Sequence, residues 1–125
     1  MTPAAWIALL VGGGVGAGMR YLIDGFVMRG RKDVFPLGIL LVNGVGSFLL
    51  GLVTGLGALV VPVGLAIIGV GVLGGFTTFS TVSVDTVLLA RRGRRNWAWL
   101  NIVGTLLVCV AAATAGLMLG RLVAG

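Results

Sequence analysis

Gly74-Gly75-Phe76-Thr77-Thr78-Phe79-Ser80-Thr81 lies in the middle of the third apolar run of the chain. Upstream, Ile67 to Leu73, and downstream, Val82 to Ala90, read as the two halves of one membrane-crossing helix. Two adjacent glycines and four hydroxyl residues within eight positions do not favour an uninterrupted helix in lipid. Glycine costs about 1 kcal/mol relative to alanine in a helix interior, and Ser and Thr compete for backbone groups. Unpaired N–H and C=O groups are costly in hydrocarbon, so a broken helix persists at that depth only where protein, ion or water pairs with them. Such a break offers carbonyls to a cation and a helix N-terminus to an anion. The stretch predicts an ion site.

The rest of the chain fits an integral membrane protein. Of its 125 residues, 58% are hydrophobic and 10% charged, and the mean hydropathy is +1.18. A soluble domain is about 45–50% apolar and about a quarter charged. The whole length, residues 1–125, reads as a single transmembrane domain with no soluble part. Glu and His are absent and the only acids are Asp24, Asp33 and Asp85. Carboxylate or imidazole chemistry has almost nothing to work with, so no enzyme is expected. The lone Cys109 excludes an intrachain disulfide and a cysteine-based metal site. A pI near 11.5 would suit a nucleic-acid partner. The basic residues, however, gather in two short connectors, which membrane orientation explains better, and no nucleic acid is expected.

The first apolar run has no basic leader and is followed by three more, so it reads as a retained helix rather than a signal peptide. It extends from about residue 4 to the mid-20s, near the ~20 residues a bilayer requires. Gly12/Gly16 and Gly14/Gly18 both have the small-xxx-small spacing that lets another helix approach closely. Arg20, Tyr21 and Asp24 close this helix at one interface, and Arg29-Gly30-Arg31-Lys32-Asp33 forms a basic connector. The second helix starts at Pro36, a good first-turn residue, and runs to about residue 59. Asn43, Ser47, Gly51 and Gly55 share one of its faces. A tight turn is expected at Pro62 and its neighbouring glycines. The third helix, broken at its centre, ends at Arg91-Arg92-Gly93-Arg94-Arg95, and the fourth spans roughly Asn96 to Arg121 with a polar stripe of Asn101, Thr105 and Cys109.

With four crossings, the two basic connectors fall on one side, carrying Arg29, Arg31, Lys32, Arg91, Arg92, Arg94 and Arg95, whereas the other side has only Arg121. The positive-inside rule then places both connectors in the cytoplasm and both termini outside.

Single motifs carry two readings each. Gly69-Val70-Gly71-Val72-Leu73-Gly74 and Gly12 to Ala17 match dinucleotide fingerprints, but neither sits in the strand–helix context that such binding needs. Asn43 can tie two helices together or donate its amide N–H to an anion. Phe76 and Phe79 can face lipid or core, or turn a positive ring edge toward an anion, and Phe79, beside the break, is the better placed. Arg20 can snorkel to the interface or draw anions into a vestibule. Asp85 needs a partner in the membrane, and Arg20 is the expected one. The Thr105 hydroxyl can bond back to its own helix or line a pore.

The order of these features along the chain is more specific. Gly13-Gly14 through Arg20-Tyr21, then Pro36-Leu37-Gly38 through Asn43 to Gly51, then Gly74 through Thr81, resembles the Fluc (CrcB) fluoride channel family across all four helices. That resemblance implies an antiparallel, dual-topology-type dimer of four-helix subunits in the cell membrane, passively exporting cytoplasmic fluoride. It implies a structural sodium ion at the dimer centre, held by backbone carbonyls at Gly74 and Thr77. It also implies pores that use Asn43 and Phe79, with a fourth-helix polar track at Thr105, Asn101 and Cys109. The hydroxyls of Ser80 and Thr81 complete the expected pore set, and Arg20 the vestibule.

The chain departs from the family pattern in three ways. Val82 stands where the family has a second phenylalanine, Asn101 where a tyrosine is common, and the connector charge is one-sided. A homodimer of opposed subunits needs a chain that inserts both ways, so the partner is either a second copy or an oppositely oriented paralogous subunit. A non-conducting structural subunit is the alternative function. A small multidrug-type transporter shares the size but depends on a membrane glutamate, which this chain lacks.

Overall fold

The computed structural model describes residues 1–31 and 35–125; Lys32 and Asp33 of the first basic connector lie outside the described residues. It is all-helical among those residues, and four spans are long and apolar enough to cross a membrane, with mean hydropathy from 1.4 to 2.3. Helix α1 (Pro3–Val27) opens with Pro3 in its first turn and with the Thr2 hydroxyl accepting from the Ala5 N–H at 3.2 Å. This cap satisfies one of the donors a helix start leaves unpaired.

Helix α2 (Leu37–Gly55) begins directly after Pro36 and stops four residues short of the expected end, giving way to a 3-10 turn over Gly57–Leu59. The reversal therefore precedes Pro62 rather than containing it, and Pro62 opens α3 (Pro62–Leu65). The physical reason is the fixed φ and missing N–H of proline, which suit the first position of a helix.

The third span, Pro62–Arg91, consists of four pieces. After α3 comes a π-helical stretch, Ala66–Leu73, then α4 (Gly74–Phe76), then three non-helical residues, then α5 (Ser80–Arg91). Helix α6 (Arg95–Ala124) completes the bundle as an unbroken 30-residue rod. At the end of α5, Gly93 takes a φ of 78°, its N–H bonds Ala90 at 3.1 Å, and Arg94 N–H bonds Leu89 at 2.9 Å. These two bonds form a Schellman cap, in which a left-handed residue turns the chain and pairs the last carbonyls.

Small residues bring backbones together along two seams. Between α2 and α6, Gly51 faces the Ala113 carbonyl and Gly55 that of Leu117, while Gly116 faces Phe48 and Gly120 faces Leu52. Between α1 and the third span, Gly16 meets Val72 and Phe76, and Gly75 meets Gly13. Of the two small-xxx-small faces expected on α1, only Gly12/Gly16 is used inside the chain; Gly14 and Gly18 face open space. In lipid no water-driven force holds helices together, so van der Waals contact at such seams is the main attraction.

The two basic connectors meet at one end. The Arg94 guanidinium lies 4.4 Å from the centre of the Trp97 ring, and Phe35 stacks edge-on to the same ring at 6.2 Å. Both chain termini are consequently at the opposite end of the four-span bundle.

Candidate functional site

The break is built by two asparagine–threonine bonds. Thr77 still belongs to the upper half: its N–H and its hydroxyl both donate to the Leu73 carbonyl at 3.0 Å. Its ψ of 154° then takes the chain out of the helix. The next residue, Thr78, turns its backbone to α2, where its N–H donates to Asn43 Oδ1 at 2.7 Å and its carbonyl accepts from Asn43 Nδ2 at 2.9 Å. Asn43 therefore acts as a fragment of strand, pairing with a residue that has no helical partner. Because Thr78 donates sideways, no backbone bond runs from Thr78, Phe79 or Ser80 to the carbonyls of Gly74, Gly75 and Phe76 among the described residues.

The side chain of Thr78 restarts the helix. Its hydroxyl accepts from the Thr81 N–H at 3.2 Å, donates to Thr81 Oγ1 at 3.3 Å and shares a bond with Ser80 Oγ at 3.1 Å. From one residue before the N-cap Phe79, this hydroxyl pairs a donor of the α5 start that has no preceding turn.

A cavity of about 480 Å³ lies against the break, between α2, α5 and α6. Asn43, Thr77, Thr78, Phe79, Val82 and Thr105 line it, with Cys109 on the α6 wall, and none of its lining residues is charged. Asn43 and Thr105 are buried, whereas Phe79 is 75% exposed within the chain. Phe76 has the other fate open to an aromatic here: it is buried in the core, where a Cβ at Gly46 would lie 3.1 Å from its ring.

Thr105 is the unusual member. Its Oγ1 is buried and has no hydrogen-bond partner among the described residues. The bond back to its own helix, one of the two readings of this hydroxyl, is absent, although Thr54, Thr86 and Thr114 all make such bonds at 2.7–2.8 Å. One turn earlier on α6, Asn101 is 2% exposed and donates to the Val82 carbonyl at 3.3 Å and to Thr86 Oγ1 at 2.9 Å.

The structure thus gathers Asn43, Gly74, Thr77, Phe79 and Thr105 around one cavity, with Ser80 and Thr81 joined to it through Thr78. Arg20, half-buried on α1, does not line it. Nor does Arg20 pair with Asp85, as was expected. Asp85 instead shares a separate cavity of about 280 Å³ with Asp24, Arg31 and Arg92, near the basic connectors. Sequence reasoning missed Thr78, the residue on which the break turns. Its signal is the cluster of hydroxyls Thr78, Ser80 and Thr81 at the helix restart, residue types that bond nearby backbone N–H groups.

Residues 7–117 match the model of the CrcB-like protein family, also described as camphor resistance. The chain is 46% identical to "Fluoride-specific ion channel FluC 1" of Leifsonia xyli subsp. xyli, over 98% of this chain and 90% of the relative. It is 44% identical to "Fluoride-specific ion channel FluC" of Magnetococcus marinus, over 95% of this chain and 98% of the relative. With "Fluoride-specific ion channel FluC 1" of Rubrobacter xylanophilus it shares 41% identity over the full length of both. Four apolar spans, a third span broken between Thr77 and Phe79, and a match over nearly the whole chain give one conclusion: the chain belongs to the CrcB-like family.

Proposed function

We propose that this chain is a subunit of a fluoride-specific ion channel that lets cytoplasmic fluoride leave the cell passively, and that it catalyses no reaction. The observation that carries the reading is the uncharged cavity at the break, lined by Asn43, Phe79 and Thr105, the last with a buried hydroxyl that has no hydrogen-bond partner among the described residues. The names of the relatives support the choice of ion.

Fluoride is small and strongly hydrated, so a selective path has to replace its water with donors while staying too narrow for larger anions. Leaving a buried hydroxyl without a partner costs roughly 1–3 kcal/mol, and an anion passing Thr105 Oγ1 would accept its proton. Asn43 keeps one amide N–H beyond the bond it makes to Thr78. The exposed edge of the Phe79 ring carries positive quadrupole density. Ser80 and Thr81 add hydroxyls at the same helix start, where the α5 dipole is positive. None of these groups is a fixed charge, so none traps the ion. Arg20 serves as a vestibule residue that raises the local anion concentration.

The break also suits a structural sodium ion. The Gly74 carbonyl is freed from helical pairing, and no group of three or more His, Cys, Asp or Glu side chains exists among the described residues to hold a different metal. Backbone oxygens at Gly74 and Thr77 are hard ligands that fit sodium. Bound there, sodium supplies a positive field and satisfies the open carbonyls. One chain provides too few oxygens for a closed shell, which fits an antiparallel dimer with a second copy or a paralogous subunit. The seven-to-one charge bias orients the basic connectors toward the cytoplasm and the termini outside.

The test is fluoride efflux from liposomes, with chloride as the control anion, for the chain alone and with an oppositely biased paralogue. Fluoride-selective efflux in either setting supports the reading; silence in both overturns it. A second reading, a non-conducting subunit that orients its partner, is favoured by the charge bias and by valine at position 82. It predicts unchanged flux when Asn43 and Phe79 are replaced in this chain alone.

A further inference from the structure

Resting on the channel reading above, we propose that Asn101 is the positioning residue of the permeation site, fixing the register of α5 on α6 and so the width of the cavity between them. The two walls of that cavity stand on different helices. Phe79 and Val82 project from the start of the lower half-helix, whereas Ile102, Thr105 and Cys109 project from α6. Something has to set their register, and packing alone does not. Val82 is 2% exposed, but an apolar contact tolerates sliding; the Phe79 side chain is 75% exposed within the chain, and the Thr105 hydroxyl bonds nothing among the described residues.

Asn101 is placed to do so. It is 2% exposed and lies one turn before Thr105 on the same helix face. Its amide nitrogen donates at 3.3 Å to the Val82 carbonyl, the backbone of a wall residue, and at 2.9 Å to Thr86 Oγ1, one turn further along α5. Thr86 Oγ1 in turn donates to the same Val82 carbonyl at 2.7 Å. Both amide protons are thereby committed to one turn of α5, and a planar amide bound at two points admits a single register.

Asn43 plays the matching part from the other side, holding Thr78 from α2. The first turn of α5 thus hangs between two asparagines, one at the break and one just beyond it. At the wall itself, Val82 packs its side chain inside the bundle while Asn101 braces its backbone.

The experiment compares Asn101→Leu, Asn101→Gln and Thr86→Val with wild type, reading fluoride flux per folded channel, fluoride-over-chloride selectivity, and amide hydrogen exchange. Asn101→Leu is expected to lower flux about tenfold and to speed exchange of the amides of residues 80–86 about tenfold, leaving the α2–α6 seam as protected as before. Asn101→Gln keeps the donors and is expected to recover part of both, and Thr86→Val, which removes one of the two acceptors, to lose about threefold. A merely structural residue would loosen both regions together and leave flux per folded channel unchanged, and that result overturns the proposal. If Asn101→Leu does not fold, the milder Thr86→Val decides by the same criteria. Should wild type carry no fluoride, alone or with an oppositely biased paralogue, the channel reading fails, while the localised exchange effect still tests the positioning role by itself.

Discussion

The α2–α6 seam and the break in the third span solve opposite problems with the same small set of residues. Along the seam, glycines at 51, 55, 116 and 120 bring two intact helices into backbone contact, so no polar group needs an outside partner. At the break, glycines 74 and 75 and the two threonines after them allow the helix to open, and its freed groups turn to Asn43, to the Thr78 hydroxyl and to the cavity. A glycine in a membrane helix therefore does not by itself mark a polar site. Gly75 closes a contact against Gly13 just as the seam glycines do, and it is the hydroxyl residues after it that make the break polar.

Breaking the seam should do the most damage. Gly116→Leu drives a side chain into the Phe48 carbonyl, and overpacking a tight contact costs about 3 kcal/mol. The expected outcome is loss of the folded protein, read as the fraction that elutes as a single species in detergent. Next comes the break itself. Asn43→Leu removes both bonds to Thr78, roughly 2–3 kcal/mol of buried hydrogen bonding, and should cut fluoride flux about a hundredfold while a folded protein survives. Comparing flux with the amount of folded protein separates this variant from the first.

Smaller effects sharpen the contrast. Phe79→Leu removes a ring that is 75% exposed within the chain, so thermal stability should hardly change, yet flux should fall about tenfold if a ring edge replaces water around the ion. Thr105→Val deletes an unpartnered hydroxyl with little change of shape, so the protein should be as stable as wild type or more so by about 1 kcal/mol, while flux declines several-fold. A stability gain with undiminished flux would remove Thr105 from the path. Least of all, Gly93→Ala forces a left-handed conformation on alanine and should cost about 1 kcal/mol in thermal unfolding without touching flux or selectivity.

Part of this difference is legible in the sequence. The break is readable because glycines and hydroxyls crowd into one short apolar stretch, and the small-residue face of α2 because Gly51 and Gly55 stand four residues apart. The partner of each glycine was not readable. Gly12/Gly16 and Gly14/Gly18 have identical spacing, and only the packed bundle decides that the first pair faces the third span while the second faces outward. Thr78 was overlooked for a related reason: its importance lies in donating its backbone N–H to a residue 35 positions away, which no local pattern encodes. The expected Arg20–Asp85 pair failed because opposite charge says nothing about depth, and Asp85 sits toward the connectors beside Asp24 and Arg92. Pro62 was read as a turn when it is a helix start, a distinction carried by the residues before it.

The most direct test of the account is the ratio of fluoride to chloride efflux from liposomes, for wild type and for Asn43→Leu in this chain, with an oppositely biased paralogue added where the chain alone is silent. The account predicts fast fluoride efflux, almost none of chloride, and near-complete loss in the variant at unchanged amounts of folded protein. Equal efflux of the two anions, or undiminished fluoride efflux through Asn43→Leu, would contradict the claim that the polar break in the third span is the selective path.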